Sequence, residues 1–534
     1  MLRPLYLLFL SMLGLVVFAQ SSFAATTVPF TVNMSEAVNV TGTPRIAVDV
    51  GGVTRYATYA SGTGTSALTF NYAMVAGDVD LDGVTLTSPI DLNGGTLKDL
   101  NGNDATLTFT VPNTSNVKIN YPSLSMDFVA DADGRYTLNG TAHNTLSSFL
   151  TATGGTFTRA SVGTYFDSSG VMQTAASGTP RVDYNPITLA AKGILIEEAR
   201  TNLNRYSEQV DNAIYNKRNC TVSANVLVGL DGTLSADKII EDTGASYKEL
   251  QIINASVSTA SYTVSAFVKP SGRNYIYLYE SQTEKSAVFD LLTGTVNGNY
   301  TGGSGSLAPA YGITSAGNGW YRIWMRWNAT AGTISYIAFG LRNSTGNFNA
   351  GYVGDGASGV YIWGAQLEQG SFPTSYIPTT TTTVTRAADS LTIPTSGGWY
   401  NSSASSVFAN FTTSNGGAGT YRRVIGTSGA ANTNYGELSN ADNYIRLYNN
   451  SVALDQASVN FLNGERYAAS SSGTGRSLSV RGATTVTDFA LVPSFTAFTL
   501  GSQNGSGNFL NGTIGKFKYY PARVTDTQLQ LLSQ

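Results

Sequence analysis

The stretch LTFNYAM, residues 68–74, puts Leu68, Phe70, Tyr72 and Met74 at every second position, with Thr69, Asn71 and Ala73 between them. An extended chain throws successive side chains to opposite faces, so this run predicts a strand with one buried face and one wet face. The same period flanks it at 46–50 (IAVDV) and 107–111 (LTFTV), and turn-forming clusters at Gly51-Gly52, Ser61-Gly62-Thr63-Gly64 and Asn93-Gly94-Gly95 break it. Short amphipathic strands joined by tight turns predict a small antiparallel sandwich over 26–118.

Further along, Tyr262–Val268, Tyr275–Tyr279, Ser406–Phe411, Tyr444–Tyr448, Ser477–Arg481 and Phe495–Leu500 repeat the pattern. At 534 residues the chain exceeds what one core can organise. The predicted fold class is therefore all-β, a multi-domain string of antiparallel β-sandwiches. Charged residues make up 12%, against about a quarter in ordinary soluble proteins. Lys plus Arg number 31 and Asp plus Glu 34, so there is no basic field for a phosphate backbone, and nucleic acid is not an expected partner.

Arg3, the apolar run Leu5–Ala19 and the small-x-small site Ser22-Phe23-Ala24 read as a cleavable signal peptide over 1–24. No later run reaches the length of a membrane-spanning helix, so a secreted or cell-surface protein is expected. Cys220 is the only cysteine, which rules out an intrachain disulfide and predicts a small buried side chain.

Several longer texts resemble known families. FTVNMSEAVNVTG (30–42), VTRYATY (53–59), AGDVD (76–80) and NGGTLKDLNGND (93–104) resemble the immunoglobulin-like repeat of bacterial adhesins. FTRASVGTYFDSSGVMQTAASGTPRVDYNP with GILIEEARTNLNRYSE, inside 157–208, is similar to a segment of phage tail proteins that precedes a binding sandwich. GVYIWGAQLEQGSFPTSYIPTTTTTVTRAAD (359–389) resembles the end of the same phage-like jelly rolls, and FLNGTIGKFKYYPARVTDTQLQLLSQ (509–534) the concanavalin-A-like and laminin-G-like lectin sandwich. These resemblances imply an immunoglobulin-like sandwich at 26–118, a connecting segment at 124–204, and a carbohydrate-binding jelly roll at 205–378. An extended threonine-rich linker at 379–389 and a lectin-like sandwich at 390–534 would follow. In the last unit Asn511-Gly512 reads as a turn, and Thr525 with Gln528 as a capping box for a final helix.

The residue inventory narrows the chemistry. A Ser or Cys nucleophile needs a base, and His143, the only histidine, sits in a polar stretch without a nucleophile motif. One His and one Cys do not make a zinc site. Glycoside hydrolysis needs only two carboxyl groups, but Glu437 and Glu465 lack the alternating acidic pattern of that fold's hydrolases. Adjacent Glu197 and Glu198 would point oppositely, and Glu280 and Glu284 flank a turn. No catalytic residue is expected.

Two features suggest binding. Asp78, Asp80 and Asp82 alternate before Gly83 like the start of a calcium loop, to be completed by Asp99, Asn101 or Asp104. Pro89 stands where the twelfth-position glutamate would be, and a solvated turn is the other reading. Tyr275, Tyr277 and Tyr279 share one strand face opposite Ile276 and Leu278, either as a platform for sugar rings or as a packed face. Trp320 and Trp324 face together, with Trp327 opposed, and read as core or edge cover. Trp399, Tyr421, Arg422, Tyr435 and Tyr444 are weaker candidates. The expected function is non-enzymatic binding of a polysaccharide or cell-surface glycan, with calcium as the one suggested cofactor. The alternatives are a structural surface or tail-spike component and a glycan-degrading hydrolase.

Overall fold

The computed structural model describes residues 27–130, 134–297, 306–307, 310–344, 351–413, 421–428, 433–439, 444–449, 452–457, 464–490, 495–505 and 507–534. The signal-peptide reading at 1–24 lies outside these residues. Among them the chain is all-β, with two short helices, Leu146–Thr153 and Asp526–Ser533.

The first sandwich is one antiparallel sheet of six strands in the order 85–91, 45–50, 53–61, 65–73, 27–41, 96–99. The long strand Thr27–Thr41 pairs with Thr65–Ala73 along its first half and with Thr96–Asp99 along its second. By changing partner it curls the sheet over a single core that includes Val32, Val48, Leu68, Phe70 and Leu86. The run 107–111, predicted as a strand, has no ladder. Leu107 accepts one hydrogen bond from the Ile90 amide at 3.0 Å, and Leu107 and Phe109 pack half-buried on the core.

The jelly roll has two facing sheets. One orders the strands 215–218, 248–257, 332–342, 275–280, 285–290 and 295–296. The other orders 220–228, 234–241, 359–369, 260–271, 320–329 and 310–317. Ile276, Leu278, Ile337 and Phe339 from the first meet Val264, Ile323, Met325 and Trp327 from the second in a dry core.

Residues 124–204, read as a connector, instead supply strands to the terminal sandwich. Strand Gly512–Tyr520 pairs with Ala404–Thr413 on one edge. Its other edge carries both Ala191–Ile196, through Ile194 opposite Ile514, and Leu124–Asp127, through Met126 opposite Phe517. In the facing sheet Thr156–Thr158 pairs with Ser390–Pro394. Leu124, Met126, Phe149 and Ile194 thereby join Val407, Phe498 and Phe517 in one core. The helix Leu146–Thr153 that brings Phe149 into it starts where Thr145 Oγ1 accepts the Ser148 amide at 3.1 Å, and ends at Gly154, whose φ of 68° suits a residue without Cβ. The jelly roll is thus inserted between two pieces of the terminal sandwich.

The linker reading is corrected in the same way. Thr379 is buried, with its hydroxyl donating to the Asn204 carbonyl at 2.7 Å, while Thr380–Thr383 and Thr385 stand exposed. Val384–Arg386 then pairs with Arg200–Asn202, so the chain enters and leaves the jelly roll side by side.

Thr525 is the N-cap of the final helix but makes no side-chain capping bond. Its hydroxyl reaches the Gly51 carbonyl at 3.3 Å, while Gln528 accepts the Leu81 amide at 2.8 Å and donates to Asp82 at 2.5 Å. The supposed capping pair holds the first sandwich against the last, over a small apolar seam that includes Val79, Tyr520, Val524 and Leu529.

Candidate functional site

The sequence-predicted calcium residues do not converge. Asp78 accepts from Arg55 at 2.8 Å, from the Val75 amide at 2.7 Å and from the Tyr72 hydroxyl. Asp80 accepts the Gly51 and Gly83 amides at 2.8 and 2.7 Å, and burial pushes its carboxyl up. Asp82 is exposed and bound to Gln528. Of the completing residues, Asp99 accepts the Asn101 and Asn103 amides, and Asp104 pairs with Lys98 at 2.7 Å. Among the described residues no three His, Cys, Asp or Glu side chains gather around a point. Each of these carboxylates holds protein donors, and of the three aspartates only Asp80 and Asp82 lie side by side.

The tyrosine row lies on the sheet face opposite the core, but not as three open rings. Tyr277 is 1% exposed, Tyr279 is buried and Tyr275 half-buried. The Tyr277 ring lies across Gly340, where an added Cβ would fall 1.9 Å from its Cζ, and its hydroxyl donates to Glu249 at 2.6 Å. Glu249 also accepts from Gln251 at 2.7 Å and faces Arg218 at 3.3 Å, and Tyr279 packs on Tyr336 with ring centroids 5.6 Å apart. The row is a packed, hydrogen-bonded face.

Other sequence candidates have structural work. His143 lies half-buried on a short edge strand, its ring 5.9 Å from that of Phe149. The Cys220 thiol donates to the Glu249 carbonyl at 3.3 Å, and burial pushes it up to about 12. Glu437 pairs with Arg423, Glu465 with Arg481 at 2.8 Å, and Glu280 caps its turn through the Gln282 amide at 2.9 Å. Trp399 is core, Arg422 is buried, Tyr444 is half-buried, and Tyr421 is exposed; the Tyr435 side chain lies outside the described residues.

What the segments 157–208 and 359–389 build together is a buried ion network between the sandwiches. Arg159 and Arg181 both bind Asp389, at 3.1 and 2.6 Å, while Glu197 receives Arg181 at 2.9 Å and Arg386 at 3.1 Å. Ser375 adds its amide and hydroxyl to Glu197 at 2.7 and 2.6 Å. Burial alone would push the Glu197 carboxyl up, but Arg386, Arg181 and Ser375 outweigh it and hold it down at about 2. The adjacent Glu198 takes the opposite side and pairs with Arg200.

In front of this network lies a cavity of about 670 Å³, walled by the 164–197 segment, the outer jelly-roll sheet, residues 372–376 and the terminal strands at 412–413 and 511–513. Tyr165, Tyr311, Trp324 and Phe372 give it apolar surface, while Thr314 and Ser315 give it hydrogen-bonding groups; Thr164, Thr413 and Asn511 also line it but are buried and bonded to the Tyr376 carbonyl, Arg422 and the Glu198 amide. Its acidic lining residues are Asp183 and Glu197. Asp183 is bound by Lys192 at 2.5 Å and by the Phe166 amide at 2.9 Å. A neighbouring cavity of about 610 Å³, sharing Phe372 and Asn511, continues the cleft past Arg326 and Tyr421.

Strand Trp320–Ala329 explains the wall. Ile323, Met325 and Trp327 go into the core, so the opposite set, Trp320, Arg322, Trp324 and Arg326, faces out of the jelly roll. Trp320 joins Phe267, Trp363 and Tyr376 in a local cluster, and the Trp324 indole lies over Gly312, where a Cβ would meet Nε1 at 2.6 Å. The alternation of tryptophan was visible in the sequence. The arginines between them were the missed signal, because only the fold shows that this outer face looks into a cleft.

No family model matches the chain, and no curated protein matches it. Among solved structures, it is similar to the CBM40 module of the Ruminococcus gnavus IT-sialidase bound to α2,6-sialyllactose, at 14% identity and a TM-score of 0.22, over 25% of this chain and 85% of that one. The N-terminal CBM22 tandem domain from Paenibacillus barcinonensis Xyn10C matches at 10% identity and 0.21, over 62% of this chain and all of that one. Domains LG4-5 of the mouse laminin α1 chain match at 10% identity and 0.16, over 52% and 85%. Carbohydrate-binding modules and laminin G domains are thus among its distant structural neighbours, and no ligand or activity is carried over from them.

Proposed function

We propose that this chain is an exported, non-enzymatic glycan-binding protein of adhesin type, and that it takes its ligand in the cleft between the jelly roll and the terminal sandwich. The observation that carries this reading is the cavity of about 670 Å³, in which aromatic surface and hydrogen-bonding side chains line one concave space. Sugars offer apolar C–H faces and rings of hydroxyls, and such a lining meets both. Bond cleavage by two carboxyl groups needs one that can give a proton. Asp183 is engaged by Lys192, and Glu197 stays ionised within its arginine pairs, which favours capture over hydrolysis.

The test is retention of the full chain by a panel of polysaccharides in affinity electrophoresis. Trp324→Ala is expected to weaken binding by about tenfold, equivalent to about 1.4 kcal/mol. Tyr277→Phe, on the other sheet, is expected to leave it unchanged. Loss of binding in Tyr277→Phe with none in Trp324→Ala would move the site to the tyrosine face. Release of reducing ends would replace the binding reading with a hydrolase.

A further inference from the structure

We propose that the ligand of this cleft is an acidic polysaccharide, whose carboxylate or sulfate groups are met by Arg322 and Arg326. The inference rests on the cleft being the glycan site and goes on to name the class of glycan.

The argument is one of charge left over. Most arginines around the cleft have a carboxylate in contact: Arg159 and Arg181 share Asp389, Arg181 and Arg386 share Glu197, and Arg200 holds Glu198. Glu368, the remaining acid behind the wall, is occupied by Thr374 and Gln366 at 2.7 and 2.8 Å. Arg322 stands apart. Its guanidinium donates to Ser265 Oγ at 3.1 Å and lies 5.2 Å from the Phe267 ring centroid, and its Nε has no partner among the described residues. Glu368 and Glu197 attract it only from a distance.

Arg326 is barer still. Among the described residues it makes no ion pair, and its Nε is buried without a hydrogen bond. It lines the second cavity, four residues along the same strand face from Arg322, or about 13 Å at the usual strand rise. Both arginines are half-exposed, and the planar fork of a guanidinium matches the paired oxygens of a carboxylate or sulfate. Trp324 stands between the two arginines on the same face and lines the first cavity with the 8% of its surface left open, so a sugar held against that part would have cationic groups on both sides. A repeating acidic chain supplies that spacing of flat ring and oxyanion. Nucleic acid fits less well, since a chain with 31 Lys plus Arg against 34 Asp plus Glu presents no basic field to a phosphate backbone.

The experiment measures binding of the full chain to polygalacturonate, to the same polymer after carboxyl reduction, to dextran sulfate, to neutral dextran and to a single-stranded oligonucleotide. Binding to the acidic polymers is expected, weakened about tenfold or more by carboxyl reduction and weakened again by salt. Preference between polygalacturonate and dextran sulfate identifies the oxyanion. Arg326→Gln is expected to lower acidic-polymer affinity by about fivefold with an unchanged melting temperature, and the double variant with Arg322→Gln to lower it further. Equal binding of neutral and acidic polymers, with Arg326→Gln indifferent, would overturn the acidic class while leaving the glycan reading in place. Failure of the unaltered chain to bind any glycan would overturn both. Equal retention of the oligonucleotide would reduce the cleft to a general anion site and overturn the proposal.

Discussion

At the scale of single residues, Glu197 shows how a buried charge is kept. It contacts Arg181 and Arg386, and Ser375 fills its remaining lone pairs. Removing its charge leaves Arg386 without a carboxylate in contact and Arg181 with Asp389 alone, so Glu197→Gln is expected to cost about 3–5 kcal/mol in chemical denaturation at neutral pH. The pH dependence has a definite sign. The carboxyl titrates near about 4.3 when unfolded but is held down at about 2 in the fold, so its contribution is complete above the unfolded value and fades as pH falls toward the folded one. Melting temperatures of the unaltered chain and Glu197→Gln should therefore differ at neutral pH and converge in strong acid. Cys220 offers a simpler check. Buried, and with its thiol pushed up to about 12, it should not react with a thiol reagent until the chain is unfolded.

Elements show which parts of the fold the sequence could reveal. The alternation in 68–74 and 275–279 depends on local geometry alone, so those strands stand where the pattern puts them. The same alternation could not say whether Tyr277 faces solvent, because that depends on Gly340, distant in sequence but adjacent in the sheet. Here a change is expected to act through packing: Gly340→Ala must displace the Tyr277 ring, at a cost of about 1–3 kcal/mol in thermal unfolding. The capping-box pattern at Thr525 and Gln528 was legible as a helix start, yet its hydrogen bonds go to another sandwich. Gln528→Ala should cost about 1–3 kcal/mol, and calorimetry should show the first sandwich melting apart from the rest. The cleft had no local signature. Arg322 and Arg326 became candidate binding groups only once the outer sheet face was seen to look toward strand 512–520.

For the molecule as a whole, the sequence displayed sandwiches in a row while the chain folds one inside another. Similar text at 157–208 and 359–389 marked both borders of the insertion, but linear reading has no means of showing that Arg181 and Asp389 touch. The expected consequence is unequal behaviour of excised parts. Residues 390–534 alone lack the strands 124–127 and 191–196 that cover Ile514 and Phe517, and should express as insoluble protein. Residues 203–380 keep both of their sheets and should give a cooperative melt with a β-type circular dichroism spectrum.

The pairing of Arg200–Asn202 with Val384–Arg386 has a further consequence. Because the two crossings of the chain lie shoulder to shoulder, the frame fixes where a guest begins and ends while setting few terms on what it is. Another compact cassette with neighbouring termini could be grafted into this socket provided that it kept the 372–376 stretch, whose Ser375 bonds Glu197, and the arginine-lined wall would change with each replacement. Changing the guest would then change one wall of the cleft while the host's own strand pairing stayed in place.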